Sequence, residues 1–145
     1  MSEALYTRDI LRLAVSIPHQ ERLDSPDGSA EIRSRTCGSV VAADVILADD
    51  GALVDLGMSI SACALGQASA SILGTEAIGL SLIDIVQAKS GLEEFFSGKA
   101  ESPGDWQNMD KLVAARDHKG RHAAILLPYD ALIAAFANAA KRKTT

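Results

Sequence analysis

The spacing of apolar side chains changes several times along the chain, and each change marks an element. From Ala4 to Val15 the apolar positions Leu5, Ile10, Leu11, Ala14 and Val15 follow a helical period. Pro18 ends that pattern, and Pro26-Asp27-Gly28 makes a turn. The period then falls to two. Ala30, Ile32 and Ser34 alternate with Glu31, Arg33 and Arg35, which predicts a half-exposed strand, and Val40 to Ala48 predicts a second. Asp49-Asp50-Gly51 signals a hairpin turn, with Gly available for positive φ. In the third strand Val54, Leu56, Met58 and Ile60 are expected on one face. Leu53, Asp55, Gly57, Ser59 and Ser61 are expected on the other.

Beyond Ala62 the pattern is helical. Ala62 to Thr75 is rich in Ala, Ser and Gly, which suits a closely packed helix. Ser81-Leu82-Ile83-Asp84 and Ser90-Gly91-Leu92-Glu93 both have capping-box spacing and predict two short helices, Leu82 to Ala88 and Leu92 to Phe96. Asp105 is placed to cap a helix reaching about Ala115. Pro128 suits the first turn of a last helix with Leu132, Ile133, Phe136 and Ala140 as its stripe. No repeat or linker is visible. The expected architecture is a single α+β domain over residues 1–145, a three-stranded antiparallel meander with helices packed on it.

Composition narrows the setting. A chain of 145 residues with 48% apolar and 23% charged residues can bury a core without disulfides. A net charge of −5 disfavours a broad nucleic-acid-binding face. The basic Lys141-Arg142-Lys143 follows an apolar run and reads as helix C-terminal charge. Glu3, Arg8 and Asp9 make the N-terminus unlike a signal peptide, and Leu56 to Thr75 is too polar to span a bilayer. The expectation is a cytoplasmic protein with no nucleic-acid or membrane partner, its oligomeric state open. Thiols stay reduced in that compartment, so the two cysteines can be core residues, metal ligands or redox groups.

The meander has a consequence for them. Cys37 falls in the turn between the first two strands, and Cys63 directly follows the third, so both belong to one end of the sheet. A helix N-terminus favours thiolate, the form that binds metal or attacks sulfur. Gly38 lets the backbone turn beside the first thiol. A small buried hydrophobe is the competing role for either cysteine. Among the histidines, His122 and then His118 are candidate ligands, although solvated loop positions are the commoner role; His19 has no special claim. Ser69 and Ser71 read as close-packing residues, since no Gly-x-Ser-x-Gly elbow is present. Asp49 and Asp50 read as turn formers and Trp106 as a core contact.

Around the cysteines the sequence resembles a known family. Thr36-Cys37-Gly38-Ser39 is similar to the first ligand motif, usually Cys-Gly-Asp, of the NifU-like N-terminal and IscU/SufU-type iron–sulfur scaffolds. Asp50 to Asp55 is similar to their hairpin. Ser61-Ala62-Cys63-Ala64 followed by Ala68 to Leu73 and Thr75-Glu76 resembles the second motif and its helix. Leu5-Tyr6, Ile10-Leu11, Pro18, Arg121 and Leu127 to Leu132 extend the similarity over nearly the whole chain. The resemblance implies a small α/β sandwich that binds a [2Fe–2S] cluster, iron or zinc through three cysteines and an aspartate. It implies a cysteine desulfurase as sulfur donor and cluster acceptor proteins as recipients, and a scaffold or sulfur carrier in preference to an enzyme.

The long interval from Cys63 to Arg121 looks like the SufU-type branch. Two positions depart from the pattern: Ser39 stands where the family has its aspartate, and Ala124 where it has its third cysteine. Cys37 and Cys63 are therefore the expected ligands, with His122 the nearest further candidate. Three readings follow from the incomplete set: a scaffold for iron or a cluster, an adaptor or regulator without stable metal, and a metal-free persulfide relay.

Overall fold

The hairpin signal is realised where the sequence places it. In the computed structural model, which describes residues 5–35 and 38–143, Ala48 and Ala52 are joined by an N–H to carbonyl bond of 2.8 Å. Gly51 supplies a φ of +91° within the turn. This hairpin links β2 (Val40–Leu47) to β3 (Leu53–Ser61), and β1 (Gly28–Arg33) pairs on the other side of β2. The sheet runs β1-β2-β3, antiparallel throughout, as the meander required.

One detail of β3 differs from the alternation. Val54 is 55% exposed and Leu53 is buried, the reverse of the expected faces. The cause is a bulge: Ile46 pairs with Asp55 but Leu47 pairs with Leu53, leaving Val54 as the extra residue. A single inserted residue flips every side chain before it to the opposite face. Leu56 and Met58, beyond the bulge, are buried as expected.

The central strand is covered on both faces. Val41, Ala43 and Val45 join the main core, while Ala42 and Asp44, on the alternate positions, are buried from the other side. Gly57 sits directly across from Asp44, and a Cβ there would lie 2.5 Å from the Glu21 carbonyl oxygen. Only a glycine lets residues 21–23 cross this face. Their passage brings Arg22 and the Leu23 N–H onto the Asp44 carboxylate.

The helices are α1 (Arg8–Ala14), α2 (Ala64–Ala77), α3 (Leu82–Phe96) and α4 (His122–Lys143). Thr7 caps α1 by accepting from the Ile10 N–H, so the helix starts later than the apolar period implied, and Leu11 and Val15 face solvent. The Ser81–Asp84 capping box is present. The second predicted box is not used: α3 runs unbroken through Ser90-Gly91, because Ile85, Leu92 and Phe95 continue one buried face. The helix expected after Asp105 is a 3-10 helix, Met109–Ala115, entered through Asn108 in the left-handed region.

Pro128 lies inside α4, one and a half turns past its start, with Ala124, Ile125 and Leu127 buried before it. Burial on both sides of the proline holds the helix together despite the missing N–H. Ala139 is buried where the expected stripe had Ala140, while Leu132 and Phe136 are buried as expected. By length and composition Lys119–Arg142 could cross a membrane, but its apolar residues form the centre of this core. Gly28 lets α4 approach β1 closely, since a Cβ there would lie within 2.4 Å of Ala139 N.

Candidate functional site

The register of β2 on β3 places Val40 opposite Ser61. The residues just outside that pair, Gly38 and Ser39 on one side and Ala62 and Cys63 on the other, line a polar recess of about 240 Å³. The Ser34 N–H donates to the Ser39 carbonyl and closes the turn between β1 and β2. Gly38 has a φ of +72°, which agrees with the tight turn expected there. Cys37 and Thr36 lie outside the described residues.

Cys63 is the residue that caps α2, with extended backbone and no side-chain capping bond. Its half-buried thiol is thus not occupied by the helix end. The first-turn N–H groups of α2 have no intrahelical acceptors, and no acidic side chain lies in that turn. An anionic group in the recess is therefore favoured by the helix end.

Ser39 is buried, 5% exposed, so the hydroxyl at the expected aspartate position belongs to the wall of the recess. Ala124 is also buried, and it packs on α2 one turn beyond Cys63. A Cβ built on Gly66 would lie 3.2 Å from the Ala124 carbonyl oxygen and 3.7 Å from its Cβ. Two features favour this contact. Pro128 cannot donate to the Ala124 carbonyl, and Ser69, 0% exposed, donates its hydroxyl to the next carbonyl, that of Ile125. Ser69 and Ser71 are packing residues, as their spacing suggested.

The histidines are placed elsewhere. His122 sets its Nε2 2.8 Å from the Ala115 carbonyl and 3.1 Å from that of Arg116, and its ring stacks on Phe96 with centroids 3.9 Å apart. It ties α4 to the end of the 3-10 helix. His118 precedes the short 3-10 helix Lys119–Arg121, and its backbone bonds to Ala115 and Arg121. His19 is exposed, and its carbonyl accepts from Met58 at the edge of β3. Asp49 and Asp50 form the hairpin turn, with the Asp50 carboxylate accepting from Ala52.

A protein cage for zinc or a cluster commonly uses four ligands. Among the described residues no group of three His, Cys, Asp or Glu side chains could hold a metal ion. The described part of the recess offers one thiol, the hydroxyls of Ser39 and Ser61, and backbone N–H groups. Among the described residues, that set does not make up a four-ligand cage.

Sequence reading missed one ionic site. Asp44, 1% exposed, accepts from Arg22 Nε at 2.6 Å and Nη2 at 2.8 Å, from Ser29 Oγ at 2.6 Å and from the Leu23 N–H at 3.0 Å. The hydrogen bond from Arg22 leads in holding this carboxyl down at about 2. Its partners sit in an irregular segment and on a neighbouring strand, so no local spacing announces it. It fastens the segment 21–23 to the sheet.

No family model matches the sequence. No curated protein matches it either. Solved structures do. A nitrogen-fixing NifU-like protein (N-terminal) from Brucella abortus is 27% identical, with a TM-score of 0.86 and 97% of each chain covered. A protein described as an iron–sulfur cluster assembly scaffold for the SUF system, from Fervidobacterium islandicum AW-1, shares the fold. It is 18% identical, with a TM-score of 0.80, and the match covers 94% of this chain and 99% of that one. Over nearly its whole length, then, this chain is similar in structure to a NifU-like N-terminal protein, and it shares its fold with a SufU-type protein.

Proposed function

We propose that the chain is a scaffold-type protein of iron–sulfur cluster assembly that carries iron, a [2Fe–2S] cluster or sulfur on Cys63 and Cys37. The observation that carries this reading is Cys63 at the head of α2, half-buried, uncapped and facing a polar recess beside Gly38 and Ser39. The relationship to proteins described as NifU-like and as a cluster-assembly scaffold supports it. In the sulfur step, the Cys63 thiolate attacks the outer sulfur of a persulfide on a cysteine desulfurase. The S–S bond of the donor breaks, a new S–S bond forms on Cys63, and the donor cysteine leaves as a thiolate, so no external oxidant is needed. The cluster is cargo here, passed on to acceptor proteins in the reducing cytoplasm.

A second reading, an adaptor of cluster assembly without stable metal, is favoured by Ala124. A buried methyl against Gly66 stands where the resembled family has its third cysteine. Anaerobic reconstitution with ferrous iron and sulfide separates the two. A carrier takes up both, and Cys63→Ala abolishes the uptake. An adaptor takes up neither, and Cys63→Ala still binds the desulfurase like the natural chain.

A further inference from the structure

A trench runs between α3 and α4 on the side away from α2. At one end a hollow of about 360 Å³ is bounded by Arg33 and Arg35 at the end of β1, by Lys89, and by Leu126, Leu127 and Asp130. At the other a hollow of about 280 Å³ is floored by Phe96, His122 and Leu126, with Lys119 at its rim. Glu93 and Leu126 belong to both, so the two are continuous.

Its chemistry is uneven in a useful way. Lys89 is already committed, 2.6 Å from Asp130 and 3.9 Å from Glu93, and this ion pair braces α3 against α4. Arg33 and Arg35 are exposed and make no ion pair with a described residue. Lys119 is exposed as well. In a chain of net charge −5, a trench with uncommitted cations at both ends and an apolar floor is a local exception. The forked guanidinium donors of a pair of arginines suit planar or multi-oxygen anions, carboxylates among them. A nucleic acid suits the trench poorly, because a charge at every residue would meet Glu93 and Asp130.

We propose that this trench docks an extended segment of a partner protein in which carboxylates alternate with apolar side chains. The carboxylates pair with Arg33, Arg35 and Lys119, and an apolar side chain fills the hollow over Phe96 and Leu126. This surface is independent of any cargo on Cys63. Because Arg35 leads into the turn that carries Gly38 and Ser39, a segment seated there lies beside the thiol recess.

The test uses the full chain, isotopically labelled for amide NMR, titrated with a synthetic peptide of alternating glutamate and leucine and with its lysine counterpart. The acidic peptide is expected to shift amides at Ile32 to Arg35, Phe96 and His122 to Leu127, with the basic peptide bound at least tenfold more weakly. Arg33→Glu combined with Arg35→Glu is expected to weaken the acidic peptide at least tenfold. The same reversal at the exposed Arg8 and Arg12 on α1 is expected to leave it unchanged. Equal binding of the two peptides, shifts confined to other surfaces, no effect of the Arg33/Arg35 reversal, or displacement by an equal concentration of single-stranded oligonucleotide would each overturn the proposal.

Discussion

Ala124 on α4 lies against Gly66 on α2, so close that a Cβ added to the glycine would touch its carbonyl oxygen at 3.2 Å. This contact puts position 124 one helical turn from Cys63 and gives the first expectation. Ala124→Cys adds one sulfur at a buried helix–helix contact and is expected to cost no more than about 1–3 kcal/mol of stability. A thiol at this position, one turn along α2 from Cys63, is expected to raise zinc and iron affinity well above that of the natural chain. Metal titration of both proteins checks it, and equal affinities would separate position 124 from the site.

Asp44 and Arg22 give a second. The Asp44 carboxyl sits at about 2 in the folded protein, below its ordinary 3.8. A depressed value means that the contribution is complete above the unfolded value and is lost as pH falls from about 4 toward 2. Asp44→Asn is expected to lower stability by about 2–3 kcal/mol at neutral pH and to flatten that acid limb. Urea unfolding at several pH values measures both.

Gly91 lies inside α3, its φ is not positive, and a Cβ there would meet nothing within 4 Å. Gly91→Ala is therefore expected to stabilise the protein by about 0.5–1 kcal/mol, through a smaller loss of backbone entropy. A rise in the thermal midpoint is the readout. A fall would mean that the break in the apolar pattern at Ser90-Gly91 has a structural use.

Tyr129 is fully buried, stacked on Trp106 with ring centroids 6.1 Å apart, and its hydroxyl has no hydrogen-bond partner among the described residues. Burial drives its ionisation upward. Tyr129→Phe removes a desolvated hydroxyl and keeps the ring, so stability is expected to hold or to rise by about 1 kcal/mol. A loss of more than that, measured in urea, would reveal a partner for the hydroxyl.

Much of this architecture can be read from local pattern. The hairpin at Asp49 to Gly51 and the Ser81–Asp84 cap are decided by neighbours in sequence, and they are found where the residues put them. Cys63 heads α2 because the strand period ends at Ser61 and the helical one follows. What local pattern does not show is set by distant contacts. The bulge at Val54 depends on how β3 meets β2. The continuity of α3 through Gly91, and of α4 through Pro128, depends on faces buried by the rest of the fold. His122 looked available in sequence, but tertiary structure aims its Nε2 at the carbonyls of Ala115 and Arg116. Cys37, the other thiol named from the motif, lies outside the described residues.

Sulfur carried on Cys63 is tested most directly by peptide mass spectrometry after anaerobic incubation with a cysteine desulfurase and free cysteine. The expected result is a persulfide on the peptide containing Cys63, lost on reduction and absent in Cys63→Ala, with further sulfur and iron bound when ferrous iron is added. A Cys63 peptide that stays unmodified while the desulfurase turns over, together with no iron uptake, would contradict it.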